Sequence, residues 1–347
     1  MPHLVLRQLL ISSLLIALSF MLASRAAADL VWNPQTGWKV EGGALAGVSG
    51  SDAKSALAMM NKARAAEEKG KTGTAVKYYS KVGKKYPNSL YAGEAQYRLG
   101  NMRLLRKQYL KAFEAYQIVV IRYPNTVRFD EIIGKQYHIA SSLLDGARGR
   151  IWGIFPGFAN REKAIEELEI LLIEAPFSDY APLALMSIAR GHQFFKNTEE
   201  ALDALDRMVN NYPQSVLATD AYLDLGKTHA SLVDGPYYDQ GSTRDAITYY
   251  EDFMILYPSD NNVGVAEKGL TDMKRVLAES KIKIADFYFK RRDNYKAARV
   301  FYNEAITVYP DSDVAAKARE RLTEVDTASA KAAAEVTQPK KKRFFFF

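Results

Sequence analysis

The 347-residue chain contains no cysteine. Disulfides are therefore excluded, and so is a lipid-modified cysteine, because no residue of the chain can carry the thioether. The chain also lacks the compact signatures of catalysis: zinc-protease, nucleophile-elbow, phosphate-binding glycine-loop and EF-hand patterns do not occur. Charge of one sign is in excess only at the ends. The formal net charge is +7, but Arg7 and Arg25 stand in an acid-free first segment, and Lys331, Lys340, Lys341, Lys342 and Arg343 crowd the last. The body between them is close to neutral, so the broad basic footprint of a nucleic-acid binder is missing. Long apolar runs are absent after the first thirty residues.

The one apolar run, Leu9–Leu22, follows Arg7 and precedes the small residues Ala26, Ala27 and Ala28. It is shorter than the roughly 20 residues a spanning helix needs, and its order matches a secretory signal cleaved after Ala28. An exported, periplasmic protein is the expectation.

What the chain does have is internal repetition. Six helical patterns end in proline, at 87, 124, 176, 213, 258 and 310, with spacings of 37, 52, 37, 45 and 52. Alanine stands twelve residues before each proline (Ala75, Ala112, Ala164, Ala201, Ala246, Ala298), and a large side chain stands eight before it (Tyr79, Tyr116, Leu168, Leu205, Tyr250, Tyr302). An upstream partner helix carries a small residue at Ala63, Gly100, Ala140, Ala189, Gly226 and Ala285. Proline stops the helix, and the small residues allow close approach beside a bulky one. Ser89, Thr126, Ser178, Ser215, Asp260 and Ser312, two residues past the prolines, are placed to cap the next helix.

This arrangement resembles the tetratricopeptide repeat. It implies an all-α fold, an α-solenoid of about six helix–turn–helix repeats forming a superhelix whose inner face binds partners. The domain reading is a signal peptide over 1–28, an extended segment over 29–50, the repeat domain over 51–327, and an Ala/Lys-rich tail over 328–347 ending in KKKRFFFF. The segment 263–292 reads as one long helix or two nearly continuous ones.

Inner-face positions flank the small residue of each first helix. They nominate Arg64, Tyr97, Asn101, Tyr137, Arg190 and Lys227 as peptide or partner contacts, with donors for backbone carbonyls or a carboxylate. His192 and His229 occupy equivalent repeat positions, and packing is the expectation for them because a metal site would want three or four ligands. Neither metal nor cofactor is expected. An insertion at 146–160 places Trp152, Phe155 and Phe158 between Gly and Pro residues. Folding back onto a neighbouring helix is the expectation there, with a partner-binding loop as the alternative. In the tail, Lys341, Lys342, Arg343, Phe344 and Phe347 suit either an anionic membrane surface or docking on a protein.

An exported chain of such repeats with Tyr-Pro-x-Ser punctuation resembles the BamD (YfiO) family of outer-membrane β-barrel assembly lipoproteins. The likeness is carried by KYYSKVGKKYPNSLYAGEAQYRLG and by DQGSTRDAITYYEDFMILYPSD with the repeat that follows it. It implies a non-enzymatic periplasmic scaffold, associated with the outer membrane, that binds unfolded outer-membrane proteins and the barrel-shaped insertase. The chain departs from the family pattern in lacking a cysteine after the signal and in having six repeats instead of five. Another periplasmic repeat adaptor, for cell-envelope organisation, pilus assembly or polysaccharide export, is the alternative.

Overall fold

The computed structural model describes residues 29–41, 51–124, 128–237 and 240–337. The expected signal peptide, Thr126 and the tail residues Lys341, Lys342, Arg343, Phe344 and Phe347 lie outside them. Two compact units divide the chain at Ala181/Pro182.

In the first unit a β-hairpin, β1 (Asp29–Asn33) and β2 (Gly37–Glu41), precedes the helices α1 (Ser51–Glu68), α2 (Thr72–Lys85), α3 (Ala92–Leu105), α4 (Tyr109–Arg122) and α5 (Phe129–Leu144). A second hairpin, β3 (Arg148–Ile151) and β4 (Phe155–Ala159), then leads to α6 (Arg161–Glu174). Each helix packs on the next in the chain. The second unit holds most of α7 (Tyr180–Phe195), then α8 (Thr198–Asn211), α9 (Ala218–Ser231), α10 (Gln240–Leu256), α11 (Val263–Arg292), α12 (Tyr295–Val308) and α13 (Asp313–Thr337). Segment 263–292 is a single helix of 30 residues.

The repeat rule read from the sequence is the packing rule of the fold. All six alanines are fully buried, as are Tyr79, Tyr116, Leu168, Leu205 and Tyr302, with Tyr250 at 4%. In α2 the buried residues Ala75, Tyr79 and Val82 recur at helical spacing on one face. A Cβ added at Gly100 would stand 2.5 Å from the Tyr116 ring, and one at Gly226 would stand 2.7 Å from the Tyr250 ring. Glycine at these positions therefore allows an aromatic ring to lie directly on the helix backbone.

The proline stops are equally regular. The residue before proline adopts φ −131°, ψ 54° at Tyr86, φ −129°, ψ 52° at Tyr123, φ −140°, ψ 58° at Ala175 and φ −131°, ψ 50° at Tyr212. The pyrrolidine ring excludes the α region for its predecessor, so the same sequence cue gives the same exit geometry.

Capping differs from expectation. Ser312 does accept the Ala315 N–H, at 3.0 Å, and the helix begins at the very next residue. Ser215 and Asp260 instead accept an N–H two residues on, from Leu217 and Asn262. The hydroxyls of Ser89 and Ser178 accept nothing. The reason is an extra turn between these residues and their helices. There the backbone carbonyl takes over, so that Ala92, Ala181, Ala218 and Val263 donate to the carbonyls of Ser89, Ser178, Ser215 and Asp260.

Two further differences concern the segments outside the repeats. Residues 29–41 are a paired hairpin, held by an Asn33 side chain that accepts the Gln35 N–H and by Gly37 at φ +79°. At the other end, α13 continues past the composition change at Thr327 to Thr337. Alanine and lysine are strong helix formers, so a change in composition need not break the helix.

Candidate functional site

Three first helices of the first unit, α1, α3 and α5, present the nominated residues Arg64, Tyr97, Asn101 and Tyr137. The structure joins three of them in a belt of alternating charge that crosses the repeats. Arg64 pairs with Glu67 at 2.9 Å, and Arg98 bridges Glu67 at 3.1 Å to Glu94 at 2.6 Å. Glu94 reaches Arg128 at 2.5 Å. The Arg128 guanidinium then lies 4.7 Å from the centroid of the Tyr97 ring.

Tyr97 is nearly buried and ties this belt to a second knot. Its hydroxyl donates to Glu131 at 2.5 Å and accepts from Lys135 at 3.0 Å. Lys135 also donates to the Asn101 side-chain oxygen at 2.8 Å, and Tyr116 donates to that same oxygen at 2.7 Å. Burial pushes the Glu131 carboxyl up, but hydrogen bonds from Lys135 and Tyr97, with the charges of Lys135 and Arg128, hold it below its ordinary value. Burial pushes the Tyr116 hydroxyl well above the usual tyrosine range, reinforced by Tyr97 and Glu131. It stays protonated and donates.

The donors of Arg64 and Tyr97 are engaged with Glu67 and Glu131, whereas Asn101 takes part through its side-chain oxygen. In two repeats the residue after the small position accepts the hydrogen bond of the packing tyrosine, Tyr116 donating to Asn101 and Tyr302 to Asp286, whereas Tyr79 donates to Glu67. A buried ring hydroxyl must find an acceptor, and the facing first helix supplies it. Asn101 therefore faces the helix pair that Tyr116 and Lys135 bring together.

Sequence reading missed the hairpin and most of the charges. Trp38 is 3% exposed against Met60, Ala63 and Leu99, and its backbone N–H donates to the Asn61 side chain at 3.1 Å. Arg98 stacks 4.8 Å from the Trp38 centroid, and Arg64 stacks 5.2 Å from that of Trp32. The first hairpin thus lies on the same first-helix faces that carry the belt. The i, i+4 pairs Glu94/Arg98 and Glu131/Lys135 were the available signal.

The other nominated residues stand apart from this knot. Tyr137 packs on Tyr180, with centroids 5.5 Å apart. In the second unit Arg190 is exposed and Lys227 pairs with Asp224 at 3.4 Å. His229 stacks on Tyr249 at 5.5 Å. Among the described residues no group of three or more His, Asp or Glu could hold a metal ion, and no helix is long and apolar enough to cross a membrane.

The inserted aromatics also differ from expectation. Trp152, Phe155 and Phe158 do not fold back; they are 69%, 55% and 88% exposed. Their segment forms its own ribbon, β3–β4.

Antiparallel helix pairs joined by small-on-large contacts and closed by proline define a tetratricopeptide-repeat protein. A tetratricopeptide repeat model matches residues 57–89 and 94–126. The model of the outer membrane lipoprotein family YfiO matches residues 159–341, more than half of the chain, and the chain belongs to that family. Solved structures similar to it include a tetratricopeptide repeat protein from Parabacteroides merdae (14% identity over 80% of this chain and 99% of that one, TM-score 0.30). Another is a repeat protein from Bacteroides fragilis (14% identity, 81% and 98%, TM-score 0.36). A third is the C-terminal part of a repeat protein from Cytophaga hutchinsonii (19% identity, 74% and 85%, TM-score 0.33). No curated protein matches the chain.

Proposed function

We propose that the chain is a non-enzymatic periplasmic scaffold of outer-membrane β-barrel assembly, binding unfolded barrel proteins, the insertase or both through its repeat surfaces. The observation that carries this reading is the YfiO match over 159–341. Its relatives are, by description, outer membrane lipoproteins, and repeats of this kind are interaction scaffolds.

The belt on α1, α3 and α5 is the surface proposed for partners. Its charges are already paired, so it suits an extended polar segment that exchanges hydrogen bonds with Glu131, Lys135 and Arg128 better than a single carboxylate seeking a free cation. Arg190 and Lys227 are proposed as contacts of the second unit. The test is photo-cross-linking in the cell from residues substituted at Arg64 and Glu131, followed by identification of the captured proteins. Outer-membrane barrel proteins or their insertase are expected. Capture of pilus, polysaccharide-export or other envelope components in their place would refute the assembly reading.

A further inference from the structure

The second hairpin carries a surface that the repeat architecture does not use. Five large apolar side chains are exposed within eight residues: Ile151, Trp152, Ile154, Phe155 and Phe158. Ile151 and Phe155 are cross-strand partners at the end of the β3–β4 ribbon, and the turn between them adds Trp152 and Ile154. The ribbon is not loose. The Arg150 N–H donates to the Lys107 carbonyl at 2.8 Å, the Arg106 guanidinium donates to the Trp152 carbonyl, and Arg161 donates to the Leu144 carbonyl at 2.9 Å.

Beneath the ribbon, where it meets the start of α4, is a cleft of about 300 Å³. Its apolar wall comes from Tyr109, Leu110, Leu143, Ile151, Trp152 and Phe158, and its charged edge from Lys107, Lys111 and Arg150. No acidic residue lines it. The two segments that meet here, 106–111 and 146–160, hold Arg106, Lys107, Lys111, Arg148 and Arg150 and no Asp or Glu. Lys107, Lys111, Arg148 and Arg150 have no ion-pair partner among the described residues. That contrasts with the belt on the inner face, where the cations are matched.

We infer that the β3–β4 hairpin and the cleft under it are a membrane-contact site for anionic lipid, with the apolar tip in the interfacial layer and the unpaired cations on the headgroups. Charge complementarity selects this occupant, since the cations meet an anionic surface with no acidic residue to repel it. The shape agrees. A narrow ribbon whose tip exposes Ile151, Trp152, Ile154 and Phe155 can enter a bilayer interface. Tryptophan and phenylalanine at such a tip are the side chains that settle at the membrane–water boundary. The inference does not depend on the assembly reading.

Because the chain has no cysteine, Ile154→Cys in the full chain provides a single thiol for an environment-sensitive fluorophore. Vesicles of phosphatidylethanolamine with phosphatidylglycerol are the probe, and phosphatidylcholine vesicles are the control. The expected result is a blue-shifted, brighter label on the anionic vesicles alone and co-flotation of the protein with them. Arg148→Gln with Arg150→Gln should weaken vesicle partitioning roughly 25-fold, about five-fold for each cation. Trp152→Ser with Phe158→Ser should abolish the label's response with an unchanged helical circular dichroism spectrum. Neutralising Lys340, Lys341, Lys342 and Arg343 should leave that response intact. A label that stays water-exposed on anionic vesicles would overturn the lipid assignment and point to a protein partner for the hairpin. So would flotation that the hairpin substitutions leave unchanged.

Discussion

Gly100→Ala tests the contact on which the repeat is built. The new methyl carbon would lie 2.5, 2.7 and 2.8 Å from three atoms of the Tyr116 ring, about 1 Å inside ordinary contact distance. The ring cannot simply step aside, because it is fully buried and its hydroxyl is bonded to Asn101 at 2.7 Å. Overpacking of this kind destabilises by about 1–3 kcal/mol. Alanine in a helix regains up to about 1 kcal/mol over glycine, so a net loss of up to about 2 kcal/mol is expected. Gly264→Ala in α11 is the matched control, since a Cβ there meets nothing within 4 Å; it should be neutral or stabilising. Native-state hydrogen exchange is the assay, because a stack of repeats opens locally and a single melting curve averages over it. Faster exchange should be confined to α3, α4 and their immediate neighbours, and Tyr116→Leu should restore part of the loss. Equal effects of the two alanines would show that backbone propensity, and not ring-on-backbone packing, governs these glycines.

Glu167 is buried on α6, and burial pushes its carboxyl up to about 7 against the opposing charge of Lys163. The folded chain then keeps a proton that the unfolded chain releases near 4.5, so this group adds stability as the pH falls from about 7 towards 4.5 and withdraws it above 7. Glu167→Gln should raise stability at pH 8 by up to about 3 kcal/mol and flatten that stretch of the pH profile, measured by urea unfolding; an unchanged profile would contradict it. Lys196 turns from α7 into α8 at φ +62°, a conformation that strains an L side chain, so Lys196→Gly should be neutral or stabilising by up to about 1 kcal/mol, and a clear loss would refute the strain. Trp38→Ala removes a deeply buried side chain of the first hairpin and should cost about 3–5 kcal/mol of its docking. Proteolysis within 29–41 should then accelerate while the helices stay protected.

Much of the fold was legible because the small–large–proline rule acts through neighbours close in sequence. Ala112, Tyr116 and Pro124 lie on one helix and its exit, and their roles follow from sterics that depend little on the rest of the chain. The capping rule failed at Ser89 and Ser178 for a related reason. One additional backbone turn, invisible in residue type, delays the helix start to Ala92 and Tyr180 and hands the hydrogen bond to a carbonyl. The left-handed turn position was equally hidden. Gly70 occupies it in the first repeat, but Lys107, Lys196 and Asp293 occupy it elsewhere, so no residue type marks it.

The candidate site was less legible. The sequence could place Arg64, Tyr97 and Asn101 on first helices, but not that Glu67, Arg98, Glu94 and Arg128 would neutralise that face across three repeats. The pairs Glu67/Arg98 and Glu94/Arg128 join residues 31 and 34 positions apart, and whether such charges meet depends on how one repeat is rotated on the next.

The sequence by itself determined the all-α repeat architecture, its register and the buried small and large positions, because each is set by periodic sterics within one helix pair. Only the tertiary structure decided that the charges of the belt on α1, α3 and α5 are matched and that Lys107, Lys111, Arg148 and Arg150 have no ion-pair partner among the described residues. Local pattern states which residues carry charge. The packing of one repeat against another decides which of those charges find a partner and which are left for a ligand.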